Sequence, residues 1–260
     1  MIPCEFPLVY CLVFAIFAVI LIGFSKAGLG GAVGSLTTPL LSLIFPAKVV
    51  IGFLLPLLIA ADMFTVYHYW KEWDWRNLKS LIPGALCGIV IGALFIDRVS
   101  DVQLKRAIGA VVVLFVLYHF LRPGSREQSH GRPHLFTGLV TGLAAGFVST
   151  IAHSAGVIVA IYLLAQNLPK RVYVATMVLF FTGLNLAKVI PYLSIGLITP
   201  ETLKSGLLFV LFIPIGIRLG LWINRRLSQA VFINVIYVLV FLTALQLLTG
   251  VNFILLLAGK

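Results

Sequence analysis

Long apolar segments follow one another along most of this chain, with only short polar loops between them. Eight segments are long enough, or nearly so, to cross about 30 Å of hydrocarbon as helices that rise about 1.5 Å per residue. They cover residues 8–24, 49–69, 78–96, 104–121, 135–152, 172–192, 203–222 and 229–249. Because 61% of the residues are apolar and only 10% are charged, the composition excludes an ordinary soluble domain. The sequence therefore predicts an all-α polytopic membrane protein.

A net charge of +11 could indicate a nucleic-acid-binding protein. Here the lysines and arginines lie in the short loops between apolar segments, which is the pattern of topology signals. We therefore expect no nucleic-acid partner. The first segment, 8–24, has no Lys or Arg before it and no evident cleavage site after it, so we interpret it as a retained span and not as a signal peptide.

The two halves of the chain resemble each other. At a shift of 123 residues, which rises to 128 towards the end, similar residues coincide. The matched pairs include Gly23 with Gly146, Pro46 with Pro169, Asp62 with Asn185, Thr65 with Lys188, Gly88 with Gly216, and Gly92 with Gly220. The spacing within the glycine pairs 88/92 and 216/220 predicts close packing of helix backbones. We expect two repeats, 8–121 and 135–249, joined by a polar linker loop at 122–134.

The orientation of the repeats depends on two shorter apolar pieces, about 32–46 and 155–166, which follow the first and fifth segments. If each piece crosses the membrane by itself, the loop lysines and arginines divide ten to six between the two faces; if not, they divide eight to eight. Since cytoplasmic loops carry an excess of Lys and Arg, the first count favours ten elements in inverted repeats with both termini outside. Eight crossings remain the alternative. An aromatic cluster typical of a membrane interface comprises Tyr69, Trp70, Trp73 and Trp75.

A lysine and several glycines interrupt the first apolar region at residues 23–39. Each glycine lowers helix propensity by about 1 kcal/mol, so we expect a broken helix near the membrane midplane. The break residues would be Gly28, Gly30, Gly31 and Gly34. Unwound backbone at that depth needs a polar cavity, and the helix that restarts near Ala32 would present free N–H groups and a positive dipole end to an anion. Lys26 adds a positive charge, and the hydroxyls come from Ser25, Thr37 and Thr38. The alternative is that Lys26 lies near the interface and snorkels.

A second polar break occurs at the same place in the second repeat, in the sequence STIAHSAG at 149–156, which ends with Gly156. Ser149 stands in place of Lys26, and His153 stands in place of Gly30. His153 can also change protonation near neutral pH. The donors that this break offers to an oxyanion are Ser149, Thr150, His153 and Ser154. The alternative is a packed histidine with a structural hydrogen bond.

Polar and charged side chains also lie inside two further apolar segments. Asp62 lies within 49–69, and Asn185 with Lys188 lies at the matching depth of 172–192. Asn185 and Lys188 are three residues apart and so share a helix face. Asp62 could carry a proton in coupled transport, or it could be the counter-charge for one of the lysines, and both interpretations stay open. Arg218, within 203–222, has no evident partner and could belong to the interface.

An enzyme or a metalloprotein would need a constellation that the sequence does not provide. The histidines outside the second break show no HExxH pattern; they are His68, His119, His130 and His134. The cysteines show no disulfide or metal spacing; they are Cys4, Cys11 and Cys87. We therefore expect no catalytic residues, no cofactor and no metal. An anion channel would use the same polar breaks and remains an alternative, as does a carrier of other small organic anions.

These motifs resemble the TauE/SafE family, the sulfite and organosulfonate exporters that are grouped with toluene-sulfonate uptake permeases. The resemblance rests on GxxxAGxGGxxGxxxxPxL in the first repeat and on AHSAG, IYLL, LPK, NLxK and PYLSIG in the second. It implies a multi-pass carrier in the bacterial inner membrane that moves small sulfur-containing anions by alternating access between its halves. In many relatives the second repeat keeps the glycine-rich motif, whereas here it has His153, Ser154 and Val157.

The two breaks and the two polar segments define the substrate site that we expect. Its candidate residues are Ser25, Lys26, Thr38, Ser149, Thr150, His153, Ser154, Asn185 and Lys188, with Asp62 as the candidate for proton coupling. The expected partners are a small anion and the lipid bilayer, with a homodimer as an open alternative to a monomer. Proton movement or the membrane potential would drive transport. The particular sulfur anion, the coupling ion and the direction of transport are left open.

Overall fold

The computed structural model describes residues 8–29, 37–121 and 135–224, together with residues 241, 245, 248 and 249. Over the three continuous ranges the chain folds into ten α-helices, and no β-strand occurs in them. The helices are α1 (Leu8–Leu29), α2 (Thr37–Ser42), α3 (Ala47–His68), α4 (Trp75–Arg98), α5 (Asp101–Leu121), α6 (Leu135–Ala152), α7 (Gly156–Leu164), α8 (Lys170–Ser194), α9 (Pro200–Val210) and α10 (Ile213–Asn224). The predicted all-α class is confirmed.

Four of the described helices are long and apolar enough to cross a membrane. They cover Ala47–Tyr67, Trp75–Arg98, Leu135–Ala152 and Arg171–Ser194. A fifth crossing is formed if α9 and α10 act together as one bent span. The prediction of a polytopic membrane protein is confirmed by these helices. The linker loop 122–134 and, apart from four single residues, the predicted span 229–249 lie outside the described residues.

The segment 203–222, expected as one span, is not a straight helix. α9 ends at Val210, α10 begins at Ile213, and their directions differ by 43°. Pro214 explains the bend, because proline has no N–H and its ring clashes with the carbonyl of the residue four positions earlier, here Val210. The expectation of a continuous helix is corrected in this respect.

α4 and α6 pack with their backbones in direct contact. A Cβ atom added to Gly84 or Gly88 on α4 would lie 2.0 or 2.1 Å from a carbonyl oxygen of α6. A Cβ atom added to Gly142 or Gly146 on α6 would lie 2.0 or 2.1 Å from a carbonyl oxygen of α4. These distances leave no room for a side chain, so the glycines allow the close approach of the two helices. This is the packing role predicted for Gly88.

The same kind of contact recurs between α1 and α10. A Cβ atom on Gly216 would lie 2.0 Å from the carbonyl oxygen of Ile20. In the register of the repeat, Gly216 corresponds to Gly88, and Ile20 corresponds to Leu143, whose carbonyl oxygen is the atom nearest to Gly88. In each pair one helix comes from each half of the chain, so both pairs tie the two halves together.

Two helices carry buried polar groups through the apolar interior. α3 packs against α1 and α9, α8 packs against α4 and α7, and α3 and α8 pack against each other. Asp62 on α3 and Asn185 and Lys188 on α8 are all buried. Burying such groups in apolar surroundings is costly unless they are paired, so the partners of these three residues locate the polar site.

The aromatic cluster lies between α3 and α4. Trp73 makes edge-to-face contacts with Trp70 and Trp75, with ring centroids 5.7 and 6.0 Å apart. Trp70 and Trp75 are exposed, which suits side chains at a membrane surface. Their interfacial position remains a prediction.

Candidate functional site

The first helix extends further than the sequence suggests. α1 extends to Leu29, so Gly28 is helical, and its assignment as a break residue is corrected. One glycine costs a helix only about 1 kcal/mol, which does not by itself end a long apolar helix. The next described helix begins at Thr37. The other expected break residues, Gly30, Gly31 and Gly34, and the expected restart near Ala32 lie outside the described residues.

The second interruption lies between α6 and α7. α6 ends at Ala152, α7 begins at Gly156, and His153 has a φ of 51°, in the left-handed region. Non-glycine residues seldom adopt this conformation, although histidine is enriched among those that do, and strained residues of this kind cluster at functional sites. The His153 ring contacts α3, where its Nε2 lies 3.1 Å from the carbonyl oxygen of Ile51.

Lys26 on α1 forms an ion pair with Asp62 on α3. The side chain of Lys26 is 11% exposed, and that of Asp62 is 1% exposed. Lys26 Nζ also donates a hydrogen bond to the carbonyl oxygen of Leu58, 3.3 Å away. The sequence leaves open whether Lys26 snorkels to the membrane interface. In the structure its side chain is directed into the protein, where Asp62 is its counter-charge.

Asn185 joins α8 to this ion pair. Its Nδ2 donates a hydrogen bond of 2.6 Å to Asp62 Oδ2, while Lys26 contacts Asp62 Oδ1. Both carboxylate oxygens of Asp62 are therefore engaged. Asp62 and Asn185 are the pair that the repeat register places at equivalent positions, 123 residues apart.

Lys188 lies one turn further along α8 and is fully buried. Its Nζ lies 3.1 Å from the Ser149 carbonyl oxygen, 3.0 Å from Ser149 Oγ and 3.0 Å from His153 Nδ1. A lysine nitrogen in this role is a donor, so we assign Nδ1 of His153 as an acceptor. The ring proton then lies on Nε2 and is donated to the carbonyl oxygen of Ile51. This hydrogen-bonding pattern assigns one neutral tautomer to His153.

A cavity with about 560 Å³ of empty space lies where these groups meet. This empty space includes solvent at the open side of the cavity. Its polar lining consists of Lys26, Asp62, Ser149, His153 and Asn185, with Gly156 at the start of α7. Its apolar lining consists of Ile22, Leu58, Val178 and Phe181. Groups from both halves of the chain therefore surround one space.

Four of the nine predicted substrate-binding residues are among the described residues that line this cavity: Lys26, Ser149, His153 and Asn185. Lys188 lies directly behind Ser149 and His153. The hydroxyls of Thr150 and Ser154 donate to main-chain carbonyl oxygens of α6, each at 2.8 Å.

Ser25 and Thr38 are buried away from the cavity, and their hydroxyls have no hydrogen-bond partner in the described part of the chain. Arg218 is exposed on α10. The binding roles expected of Ser25 and Thr38 remain predictions.

Sequence reasoning missed several contributors to the site. A main-chain acceptor such as the Ile51 carbonyl leaves no trace in a sequence. Leu58 and Phe181, by contrast, stand at equivalent repeat positions, each one turn before Asp62 or Asn185. The repeat register could therefore have identified these two wall residues.

The cavity offers hydrogen-bond donors from Lys26, Ser149 and Asn185, next to the ion pair of Lys26 with Asp62. No group of three or more His, Cys, Asp or Glu side chains that could hold a metal ion occurs within the described ranges. Charge-assisted donors from lysine, together with hydroxyl and amide donors, are the groups that bind oxyanions well. The arrangement suits a small anion better than a cation.

A comparison with protein-family models gives a match. The family model described as Sulfite exporter TauE/SafE matches residues 15–247. No curated protein and no solved structure matches the chain. The matched range includes every residue that lines the cavity.

Proposed function

The chain belongs to the TauE/SafE sulfite exporter family, and we propose that it is a secondary transporter of small sulfur-containing anions such as sulfite or an organosulfonate. The proposed location is the bacterial inner membrane. The observation that carries the proposal is the cavity between the two halves, where Lys26, Ser149 and Asn185 converge. This family is a transporter family, and no catalytic step is part of the proposed function.

Three donors in the cavity match the three oxygens of a sulfite or sulfonate group. Lys26 has three N–H donors, of which Asp62 and Leu58 engage two. Asn185 has two, of which Asp62 engages one. Ser149 Oγ accepts from Lys188, so its own proton is left to donate into the cavity. Both ring nitrogens of His153 already form hydrogen bonds. We therefore assign His153 to the cavity wall, where it positions Ser149 and Lys188.

The proposed transport cycle alternates access to this cavity from the two sides of the membrane. The glycine contacts join α4 to α6 and α1 to α10, so each tight pair contains one helix from each half. We therefore propose that these pairs, and not the sequence halves 8–121 and 135–249 by themselves, move as rigid units past α3 and α8. The matching contacts in the two pairs support a duplicated and inverted design.

The ion pair with Lys26 supports a counter-charge role for Asp62 over that of a proton carrier. The charge of the substrate itself then provides a means of coupling, since the membrane potential contributes about 2.3 kcal/mol per charge per 100 mV. A proton gradient is the second driving force to be tested, in proteoliposomes.

Uptake of sulfite and methanesulfonate into proteoliposomes tests the proposed site. Lys26→Ala and Ser149→Ala each remove one donor to the anion, which corresponds to a loss of about 10- to 100-fold in affinity. Matched controls are Lys105→Ala on α5 and Ser194→Ala at the end of α8, since both side chains lie away from the cavity. Uptake that is equal in all four variants would show that the assigned site is wrong.

The same vesicles distinguish a carrier from an anion channel. A carrier saturates with substrate, and unlabelled anion trapped inside accelerates the entry of labelled anion from outside. A flux that rises linearly with concentration and shows no such counterflow would favour the channel.

A further inference from the structure

The charges around the cavity do not balance. Asp62 is the one acidic residue of the chain that lies inside a predicted apolar segment, and the other seven lie in loops, near segment ends or before the first segment. Lys26 and Lys188 are the lysines at the site, from α1 and α8, and we infer a protonated Lys188 because the three acceptors around its Nζ match the three N–H donors of an ammonium group. Lys26 pairs with Asp62, whereas Lys188 has no carboxylate partner in the described part of the chain.

The imbalance arises from unequal substitution in the two repeats. The first repeat has Lys26, Asp62 and Thr65, where the second has Ser149, Asn185 and Lys188. The first set is neutral when its lysine is charged, and the second carries one positive charge. Lys188 Nζ lies 3.0 Å behind Ser149 Oγ, so its charge is separated from the cavity by a single side-chain group.

We propose, on the basis of the proposed function, that the site selects sulfur oxyanions that carry one negative charge, and that Lys188 sets this preference. A single negative charge balances Lys188. A dianion would leave one uncompensated negative charge in the buried site, and a net-neutral zwitterion would leave Lys188 unbalanced, both of which are costly in apolar surroundings. Alkyl sulfonates and hydrogensulfite are the substrate class that fits.

The expected size of the preference follows from the geometry. Two hydrogen bonds in series place a bound anion about 6 Å from Lys188 Nζ, and at an effective dielectric constant of about 20 one charge at that distance changes affinity on the order of 100-fold. A difference of at least tenfold between anions of different charge is therefore expected.

Three two-carbon sulfonates test the charge preference without change of the sulfonate group: taurine, with no net charge, ethanesulfonate, with one negative charge, and 1,2-ethanedisulfonate, with two. A ligand that binds the folded state raises the melting temperature by mass action, so the full chain, purified in detergent, is heated with each at constant ionic strength. We expect half-maximal stabilisation by ethanesulfonate at a concentration at least tenfold below that of the other two.

Equal stabilisation by all three, or a preference for the disulfonate, would overturn the inference while leaving the proposed function in place. Stabilisation by neither sulfite nor any sulfonate would overturn both.

Variants change the charge of the site in known steps. Lys188→Met removes the unbalanced charge and is expected to abolish the preference for ethanesulfonate. Asp62→Asn raises the site charge by one and is expected to shift the preference towards the disulfonate, which keeps the inference testable if Lys188→Met does not fold. The double variant Lys26→Met with Asp62→Asn restores a single positive charge, so ethanesulfonate should again be preferred, with weaker binding overall. Ligand ranking that is unchanged in Asp62→Asn would contradict a role for charge.

Discussion

Replacement of Asp62 by leucine tests the buried ion pair at the centre of the site. The change leaves Lys26 as an unpaired charge that is only 11% exposed, and it removes the acceptor of Asn185 Nδ2. Breaking a buried pair costs about 3 kcal/mol at the lower end of the measured range, which suits the partial exposure of Lys26. The unsatisfied amide adds about 1 kcal/mol. The free energy of unfolding should therefore fall by about 4 kcal/mol.

The double variant Lys26→Met with Asp62→Leu separates the charge term from the rest. Because no unpaired charge remains, it should recover about 3 kcal/mol of the loss, or roughly 6–12 °C in melting temperature for a chain of this size. The comparison uses melting temperatures measured in one detergent for the wild type, Asp62→Leu, Lys26→Met and the double variant. A single variant Asp62→Leu as stable as the wild type, or a double variant less stable than Asp62→Leu, would refute the pairing of Lys26 with Asp62.

Two further predictions concern glycine packing and the second break. Gly88→Ala places a Cβ atom 2.1 Å from a carbonyl oxygen of α6 and should destabilise the protein by about 1–3 kcal/mol. In the control Gly183→Ala on α8, the added Cβ atom meets no atom within 4 Å, so this variant should be neutral or stabilising by up to about 1 kcal/mol. Equal melting temperatures of the two variants would contradict the α4–α6 contact. Glycine adopts the left-handed φ of 51° at position 153 without strain, so His153→Gly should be about 1 kcal/mol more stable than His153→Ala. Both variants lose the acceptor for Lys188 and should transport poorly. A more stable His153→Ala would indicate a different backbone conformation at this residue.

The repeat register is the reason that much of the site could be predicted. Aligning the halves placed Ser149 opposite Lys26 and Asn185 opposite Asp62, and the structure brings all four side chains to one cavity. Composition alone predicted the all-α membrane class, because no soluble fold tolerates so many apolar segments. Each of these predictions depends on residue identity and spacing, which a sequence states directly.

The rotation of each helix could not be predicted in the same way. A membrane helix is apolar on most of its surface, so the usual polar–apolar periodicity does not show which face is inside. Thr150 and Ser154 lie beside the correct break, yet their hydroxyls bond to main-chain carbonyls and not to the cavity. The contact between Lys188 and His153 joins α8 to the end of α6, and only the packing of those helices creates it.

Selenite, the selenium analogue of sulfite, can show by crystallography whether the cavity holds a sulfur oxyanion. A crystal of the protein grown with selenite would reveal the selenium atom by its anomalous scattering. We predict one strong peak in the cavity, with the oxygens of the anion within hydrogen-bond distance of Lys26 Nζ, Ser149 Oγ and Asn185 Nδ2. A peak elsewhere, or an empty cavity at selenite concentrations that stabilise the protein, would contradict the proposed site.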